Sequence, residues 1–177
     1  MREKAIRYVL MYFLLIVLLM YFILMIPFQP ALVFYKENTN DIEAYLPVSI
    51  GDTFFIVFTH SIHLTDVIEK YKITENYRIK QYEMIFEEFG IGMPSTTEED
   101  EYLTYEDGKY HLKNMKQIFT AIHVRNGKTV SKHKLIWGEK EEHIATFNTY
   151  FKPGAWFTLK VDRLSIWQLM KGERIHG

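Results

Sequence analysis

Cysteine is absent from the 177 residues of this chain, and glycine and proline are scarce, at nine and five residues. Without cysteine neither a disulfide framework nor a lipid-modified N-terminus is possible, so a folded domain must be held together by its core. Positive charge is not in excess either, because 21 lysines and arginines stand against 22 acids. That balance predicts no nucleic-acid partner, since phosphate binding needs a concentrated basic face.

One long apolar run is present, and it indicates where the chain works. Residues 8–28 carry no charge, and as a helix they would be about 31 Å long, the thickness of the bilayer core. They follow a basic stub, residues 1–7, which contains Arg2, Lys4 and Arg7. We therefore predict a single-pass cell-membrane protein that contacts lipid through this anchor, with its N-terminus cytoplasmic and its C-terminal domain extracytoplasmic.

A cleaved signal peptide begins in the same way and is the alternative for this run. The run exceeds the usual apolar region of a signal peptide, about 7 to 15 residues. The end of the run is marked by two prolines, Pro27 and Pro30. No pair of small residues that would mark a cleavage site follows closely. The better-supported interpretation is an anchor that is retained.

The remainder of the chain is interpreted as a tether and one domain. Residues 29–45 contain Pro30, Asn38 and Asn40, which are typical of an irregular linker, and residues 46–177 form the extracytoplasmic domain. A chain of about that length buries roughly two thirds of its unfolded surface. The domain is therefore large enough to fold without disulfides.

Patterns typical of strands predominate in this domain. Residues 54–58 are aromatic and β-branched and follow Gly51 and Asp52, which predicts a buried central strand. Residues 67–73 alternate in polarity, so that Val67, Glu69, Tyr71 and Ile73 would share one face. Residues 78–89 favour another strand, with a helix as the alternative. The apolar residues 164–170 are interpreted as a closing helix or a docking surface.

Turn signals predict how the strands are connected. The clearest hairpin joins residues 118–124 to 130–137 through Asn126-Gly127, because that pair tolerates the positive φ angles of a type I′ turn. A second hairpin is predicted at Asp107-Gly108, and a late strand at 155–161. About six to eight short strands predict a mainly β fold, an antiparallel β-sandwich or small barrel behind the single N-terminal transmembrane helix.

Two polar constellations are candidate sites for a ligand or partner. The first lies where the strand 54–58 ends, and a hairpin there would bring it to one rim of the sheet beside polar groups of the next strand. The second is a turn whose glycines allow positive φ and whose amides can form an anion-binding concavity. The candidate residues are Thr59, His60, Ser61, Glu69, Tyr71, Gly90, Gly92 and Pro94.

At these residues the chain resembles a known bacterial family, domain of unknown function 1850. The resemblance rests on Phe58-Thr59-His60-Ser61, Thr65, Glu69-x-Tyr71 and Phe89-Gly90-x-Gly92-x-Pro94. Asp66 stands where that family usually has proline, and Glu88 where serine is common. Members are commonly encoded beside permeases of TAXI-type TRAP transporters. The resemblance thus implies an accessory of a solute transporter, with a TRAP permease or a small polar ligand as its partner.

Other interpretations of the same residues stay open. His60 can donate to a carbonyl while Thr59 and Ser61 satisfy the turn, which would be a purely structural role. Ser61, His60 and Glu69 would suit a membrane-tethered hydrolase, but adjacent strand residues point to opposite faces. Zinc bound by His60, His63 and Glu69 meets a similar objection. A non-catalytic envelope scaffold is a further alternative. No specific motif for a cofactor, a metal or a nucleophile is present, which favours a non-enzymatic function.

Overall fold

Strands dominate the structure, a computed structural model that describes residues 2–90, 94, 96–98, 100–130 and 132–177. The helices are α1 (Arg2–Met25), α2 (Phe147–Tyr150) and α3 (Ile166–Lys171). The strands are β1 (Gln29–Lys36), β2 (Ile42–Pro47), β3 (Thr53–Thr59), β4 (Asp66–Ile73), β5 (Ile79–Phe86), β6 (Tyr102–Glu106), β7 (Lys109–Lys113), β8 (Ile118–Phe119), β9 (Ile122–Arg125), β10 (Lys134–Trp137), β11 (His143–Thr146), β12 (Trp156–Leu164) and β13 (Glu173–Arg174).

The strands form two sheets. Sheet A has the order β13-β2-β1-β12-β9, and sheet B has the order β11-β10-β3-β4-β5-β7-β6, with β8 beside β5. Neighbouring strands are antiparallel except for β13, which runs parallel to β2. The predicted mainly β, sandwich-like fold behind one N-terminal apolar helix is confirmed.

The main core lies between the two sheets. Leu32 and Phe34 of β1 share one buried cluster with Phe54 and Ile56 of β3. The Phe34 ring lies 5.0 Å from the ring of Phe151, which extends the same cluster beyond the strands. Side chains from facing sheets that interdigitate in this way form the interior of a β-sandwich.

The segment interpreted as a tether is part of the fold. Residues 29–45 contain β1 and most of β2, and Ala31, Leu32 and Val33 are fully buried. β1 pairs with β2 on one side and β12 on the other, so it lies in the middle of sheet A. The structure corrects the predicted boundaries, because the apolar helix ends at Met25 rather than at residue 28, and the domain begins at Gln29 rather than at residue 46.

Several predicted strands and turns are confirmed. β3 and β4 match the strands at 54–58 and 67–73, and the predicted segment 78–89 contains strand β5, Ile79–Phe86, rather than a helix. The hairpin of β6 and β7 turns at Asp107 and Gly108, which both have positive φ. The closing helix is α3, which ends at the cap residue Gly172.

The hairpin predicted at Asn126-Gly127 is wrong. β9 pairs with β12 in sheet A, whereas β10 pairs with β3 and β11 in sheet B. Asn126 is fully buried, and its Nδ2 donates to Asn148 Oδ1 at 2.9 Å. The backbone N–H of Asn126 donates to Ala155 O, so this residue ties the loop before β12 to the end of β9. The chain therefore crosses between the sheets here.

Candidate functional site

The inner face of β4 carries a carboxylate between apolar side chains. Alternation along the strand places Glu69 on the same face as Val67 and Tyr71, which are both buried. The Tyr71 hydroxyl donates to Glu69 Oε2 at 2.8 Å. Burial raises the pKa of Glu69 above its ordinary value, and the hydrogen bond from Tyr71 offsets part of that rise. An acid with this environment inside a core is typical of functional sites.

A buried amide lies opposite this pair. Gln81 of β5 faces Tyr71 across the ladder and is only 4% exposed. Its Nε2 has no hydrogen-bond partner among the described residues. Leaving such a donor unpaired costs about 1 to 3 kcal/mol. Because native cores rarely keep such groups, this donor calls for an explanation beyond stability.

A cavity of about 360 Å³ adjoins these residues, and we call it the inner cleft. Its volume lies within the range of small-molecule sites. Glu69, Tyr71 and Gln81 form its polar wall. The apolar wall consists of Ile56, Phe58, Phe119, Ile122 and Val124, and the remaining lining residues are His123, Arg125 and His133. The cleft thus lies between sheet B and strand β9 of sheet A.

A second cavity of about 520 Å³, the rim cavity, contains the first predicted constellation. Thr59, His60 and Ser61 line one side of it, and the chain from Gly127 to Val130 lines the other. Phe58, Arg125 and His133 line both cavities. The Phe58 and His133 rings stack with centroids 5.7 Å apart and so stand between the rim cavity and the inner cleft.

The structure therefore divides the first constellation between two neighbouring cavities. Glu69 is paired with Ile56, three residues along β4 from Asp66, where the loop begins. Three strand residues span about 10 Å. Ser61 lies in the loop and lines the rim cavity, while Glu69 lines the inner cleft. This arrangement does not assemble the Ser61, His60 and Glu69 triad that a hydrolase would need.

Local hydrogen bonds hold the loop between β3 and β4. The Thr59 hydroxyl donates to Asp66 Oδ1 at 2.8 Å, and the His63 N–H donates to His60 Nδ1 at 3.4 Å. The His60 and His63 rings stack at 5.0 Å. Leu64 has a φ of 58°, a left-handed conformation that is strained for a branched apolar residue. Strain of this kind is often found in loops that carry function.

The second predicted constellation approaches the same loop through His63. His63 Nδ1 lies 2.8 Å from Glu88 Oε2, and a Cβ atom at Gly90 would collide with the His63 ring. The absence of a side chain at Gly90 therefore allows the His63 ring to approach this turn closely, as the glycine in the sequence predicts. Pro94 lies in irregular chain, and Gly92 lies outside the described residues. With Glu69 bonded to Tyr71 and His63 to Glu88, the zinc interpretation gains no support from the geometry.

The mouth of the inner cleft is positively charged. Arg125 lines this cleft, and Lys128 lines the neighbouring rim cavity. Neither forms a salt bridge within the described part of the chain. Arg125 is exposed, and its guanidinium lies 5.3 Å from the centre of the Trp156 ring. Burial lowers the pKa of His133, so at neutral pH this ring is a neutral donor or acceptor. An anionic group of a ligand would meet an unpaired cation here.

Sequence reasoning missed Gln81 and Arg125. A signal for Gln81 exists, because it lies two residues after Ile79 and so takes an inward position where an apolar residue is expected. Arg125 precedes the mispredicted Asn126-Gly127 turn, and only the pairing of β9 with β12 brings it to the cleft. His123 and His133 also line the inner cleft, one from β9 and the other from the chain just before β10.

Residues 54–144 match the family described as domain of unknown function (DUF1850). The chain belongs to this family. No curated protein and no solved structure matches the chain. All lining residues of both cavities fall within the matched segment, whereas β1, β2, β12 and β13 of sheet A lie outside it. The DUF1850 segment thus carries the candidate site, and the flanking segments complete the sandwich around it.

Proposed function

We propose that this DUF1850 protein is a membrane-anchored, extracytoplasmic accessory of a solute transporter, and that its inner cleft binds a small organic ligand. The observation that carries the ligand site is Gln81, which lines the cleft and whose buried Nε2 has no hydrogen-bond partner among the described residues. A ligand oxygen that accepts from this group would remove the cost of its burial. Glu69 and Tyr71 stand beside it as further hydrogen-bonding groups.

The anchor in this proposal is α1. Its 24 residues are about 36 Å long, its mean hydropathy reaches 2.6, and none of its residues is buried against the domain. Arg2, Lys4 and Arg7 at its start favour an N-terminus on the cytoplasmic side. Only Ile26 to Phe28 separate α1 from β1, and the Phe28 N–H donates to Leu164 O, so the helix continues directly into the folded domain.

The lining of the cleft defines the chemistry of the ligand. Gln81 requires an acceptor, such as a carbonyl or hydroxyl oxygen, and Arg125 at the mouth favours an anion. Between them the wall is apolar, with Ile56, Phe58 and Phe119 among its residues. A short amphipathic organic acid that carries an oxygen at the end opposite its carboxylate satisfies all three regions.

The substitution Gln81→Met tests the ligand site. It removes the unpaired donor and keeps the volume, so we expect the ligand-free protein to gain about 1 to 3 kcal/mol of stability. Thermal unfolding of the full chain in detergent would be measured with linear carboxylates of increasing length, each with and without a terminal keto group. Keto acids should raise the melting temperature of the wild type and have less effect on Gln81→Met.

Two matched variants make that result specific. Gln117→Met changes an exposed glutamine and should alter neither stability nor the ligand response. Arg125→Gln should weaken the response to carboxylates. It should lower the ligand-free stability by at most about 1 kcal/mol, because Arg125 forms no salt bridge in the described chain and loses only its contact with the Trp156 ring. If Gln81→Met destabilises the protein and no acid stabilises the wild type, the cleft is only a packing defect.

The transporter part of the proposal follows from the genes that the family resemblance leads us to expect nearby. We expect the tagged full-length chain, purified from its native membranes in mild detergent, to retain a TRAP permease at a stoichiometric level. His60→Ala with Ser61→Ala at the rim should reduce that recovery. Ser49→Ala with His176→Ala changes the same residue types elsewhere on the surface and serves as the control. If the folded rim variant recovers the permease fully, the rim is not part of the interface with the permease.

A further inference from the structure

One end of the sandwich lies directly at the exit of the anchor. β1 begins at Gln29, four residues after α1 ends at Met25. Gln29 pairs with Leu164, the last residue of β12, and Phe28 also bonds to Leu164. A linker this short spans roughly 10 Å. If α1 crosses a bilayer, this end of the domain must lie at the bilayer surface, and we call it the membrane-proximal end.

Helix α3 lies at this end, between the anchor and sheet A. Ser165 caps it immediately after β12, accepting from the Gln168 N–H at 3.3 Å, while its own N–H donates to Gln168 Oε1. Cα atoms of α3 come within 8 Å of Cα atoms of α1. Leu169 packs on the outer face of β1. The capping box and this packing fix which side of α3 faces away from the domain.

The outward side of α3 carries large apolar groups next to a cation. Trp167 is 43% exposed and Met170 is 73% exposed. Lys171 Nζ lies 5.2 Å from the centre of the Trp167 ring. Trp167 and Met170 are three positions apart and so are neighbours on one side of the helix. Tryptophan with lysine is the composition found where protein meets the headgroup layer of a membrane.

A second part of the membrane-proximal end has the same composition. The Arg163 guanidinium lies 5.2 Å from the centre of the Tyr77 ring, and Arg163 pairs with Pro30 near the start of β1. Ile50 is also exposed, in the loop after Val48, whose N–H donates to Pro30 O. The exposed Ile50 and Arg163 and the half-buried Tyr77 thus lie at the same end of the domain as the exit of α1.

We propose that α3 inserts Trp167 and Met170 into the headgroup layer of the bilayer that α1 crosses, so that the domain rests on the membrane in a fixed orientation. This inference rests on the anchor in the proposed function and is independent of the cleft. The occupant is lipid because the three-residue link places this surface at the bilayer whether or not any protein partner is present.

The orientation has a consequence for the cleft. Leu164 and Trp156 are the two ends of β12, separated by about 26 Å of strand. Leu164 lies at the membrane-proximal end, and Trp156 pairs with Arg125 at the mouth of the cleft. The part of the cleft that Arg125 lines therefore lies toward the end of the sandwich that is remote from the bilayer. A permease that exchanges ligand with the cleft must extend about that far from the membrane surface.

Single cysteines test this inference cleanly, because the chain has none of its own. Leu15→Cys lies in the anchor, Met170→Cys on α3, and Asn40→Cys in the exposed turn at the far end of β1. Each spin-labelled full-length variant would be placed in liposomes, and its collision rates with oxygen and with a water-soluble nickel chelate would be compared. The Met170 label should show an oxygen-to-nickel ratio several-fold above that of Asn40 and below that of Leu15.

The outcomes separate this inference from the anchor. A lipid-like ratio at Leu15 with a water-like ratio at Met170 would keep the anchor and overturn the insertion of α3. A water-like ratio at Leu15 would remove the anchor and this inference together. Low rates with both reagents at Met170 would show that protein covers α3 and would also overturn it. Adding Trp167→Ser to Met170→Cys should move the ratio toward that of Asn40.

Discussion

Glu69 shows most clearly how a single residue sets the properties of the cleft. The strand places its carboxylate on the inner face, where burial disfavours the charged form. Gln81 on the next strand adds a donor without a partner among the described residues. Hydrophobic alternatives at both positions would be more favourable for the fold alone. Glu69 and Gln81 therefore lower the stability of the fold, and they supply hydrogen-bonding groups to the cavity.

The raised pKa of Glu69 predicts a pH dependence of stability. Because its pKa in the folded state lies above the ordinary value of 4.5, the folded state binds the proton more tightly than the unfolded state does. The contribution of Glu69 is most favourable below that ordinary value and is lost as the pH rises through the folded-state value. Glu69→Gln keeps an acceptor for Tyr71 and does not titrate, so its stability relative to the wild type should increase from pH 4 to pH 7.

Urea unfolding of the two full-length proteins in the same detergent, at a series of pH values, measures this difference. Glu75→Gln, in the exposed turn before β5, controls for the loss of one carboxylate from the chain. A difference between Glu69→Gln and the wild type that shrinks as the pH rises would contradict the assignment of Glu69 to a desolvated site.

At the scale of the elements, local sequence patterns were sufficient to predict a strand and its pairing where the partner strand is near in the sequence. β3, β4 and the turn at Asp107-Gly108 were predictable, because alternation, aromatic content and turn chemistry are all local properties. The pairing of β3 with β4 then follows from a short loop. The placement of Glu69 and Tyr71 on one inner face was predictable for the same reason, since side chains alternate along a strand.

The failures occur where long-range pairing overrides a local signal. Asn126-Gly127 is a strong hairpin dipeptide, but Asn126 is buried by bonds to Asn148 and to the chain near Phe151. β1 was not predicted because it closely follows the apolar helix α1 and contains Pro30, although residues 31–35 form a bounded apolar run typical of a buried strand. The inner cleft depends on β9 joining sheet A, so its full lining could not be read from the sequence.

At the scale of the whole molecule, the chain segments that precede and follow the family segment pair with each other in one sheet. Sheet A takes β1 and β2 from one side of residues 54–144 and β12 and β13 from the other. Its inner face covers the core of sheet B. The DUF1850 segment alone therefore lacks most of one layer of the sandwich.

This architecture predicts where a soluble version of the domain must begin. A chain of residues 27–177 keeps β1 and should unfold cooperatively, whereas one of residues 46–177 should not fold. Burial of Leu32, Val33 and Phe34 alone contributes about 5 to 9 kcal/mol, which is comparable to the whole stability of a domain. Far-ultraviolet circular dichroism and thermal melting of both chains would decide this, and a cooperative transition for residues 46–177 at a similar temperature would contradict it.

The central position of β1 also sets the order of events during synthesis. Its partner β12 begins about 120 residues later in the chain. At about 5 to 20 residues per second the ribosome takes roughly 6 to 24 s to add them. Throughout that interval β1 has one unpaired edge and two apolar faces. The newly made chain thus passes through a long stage in which an apolar strand with a free edge is open to aggregation.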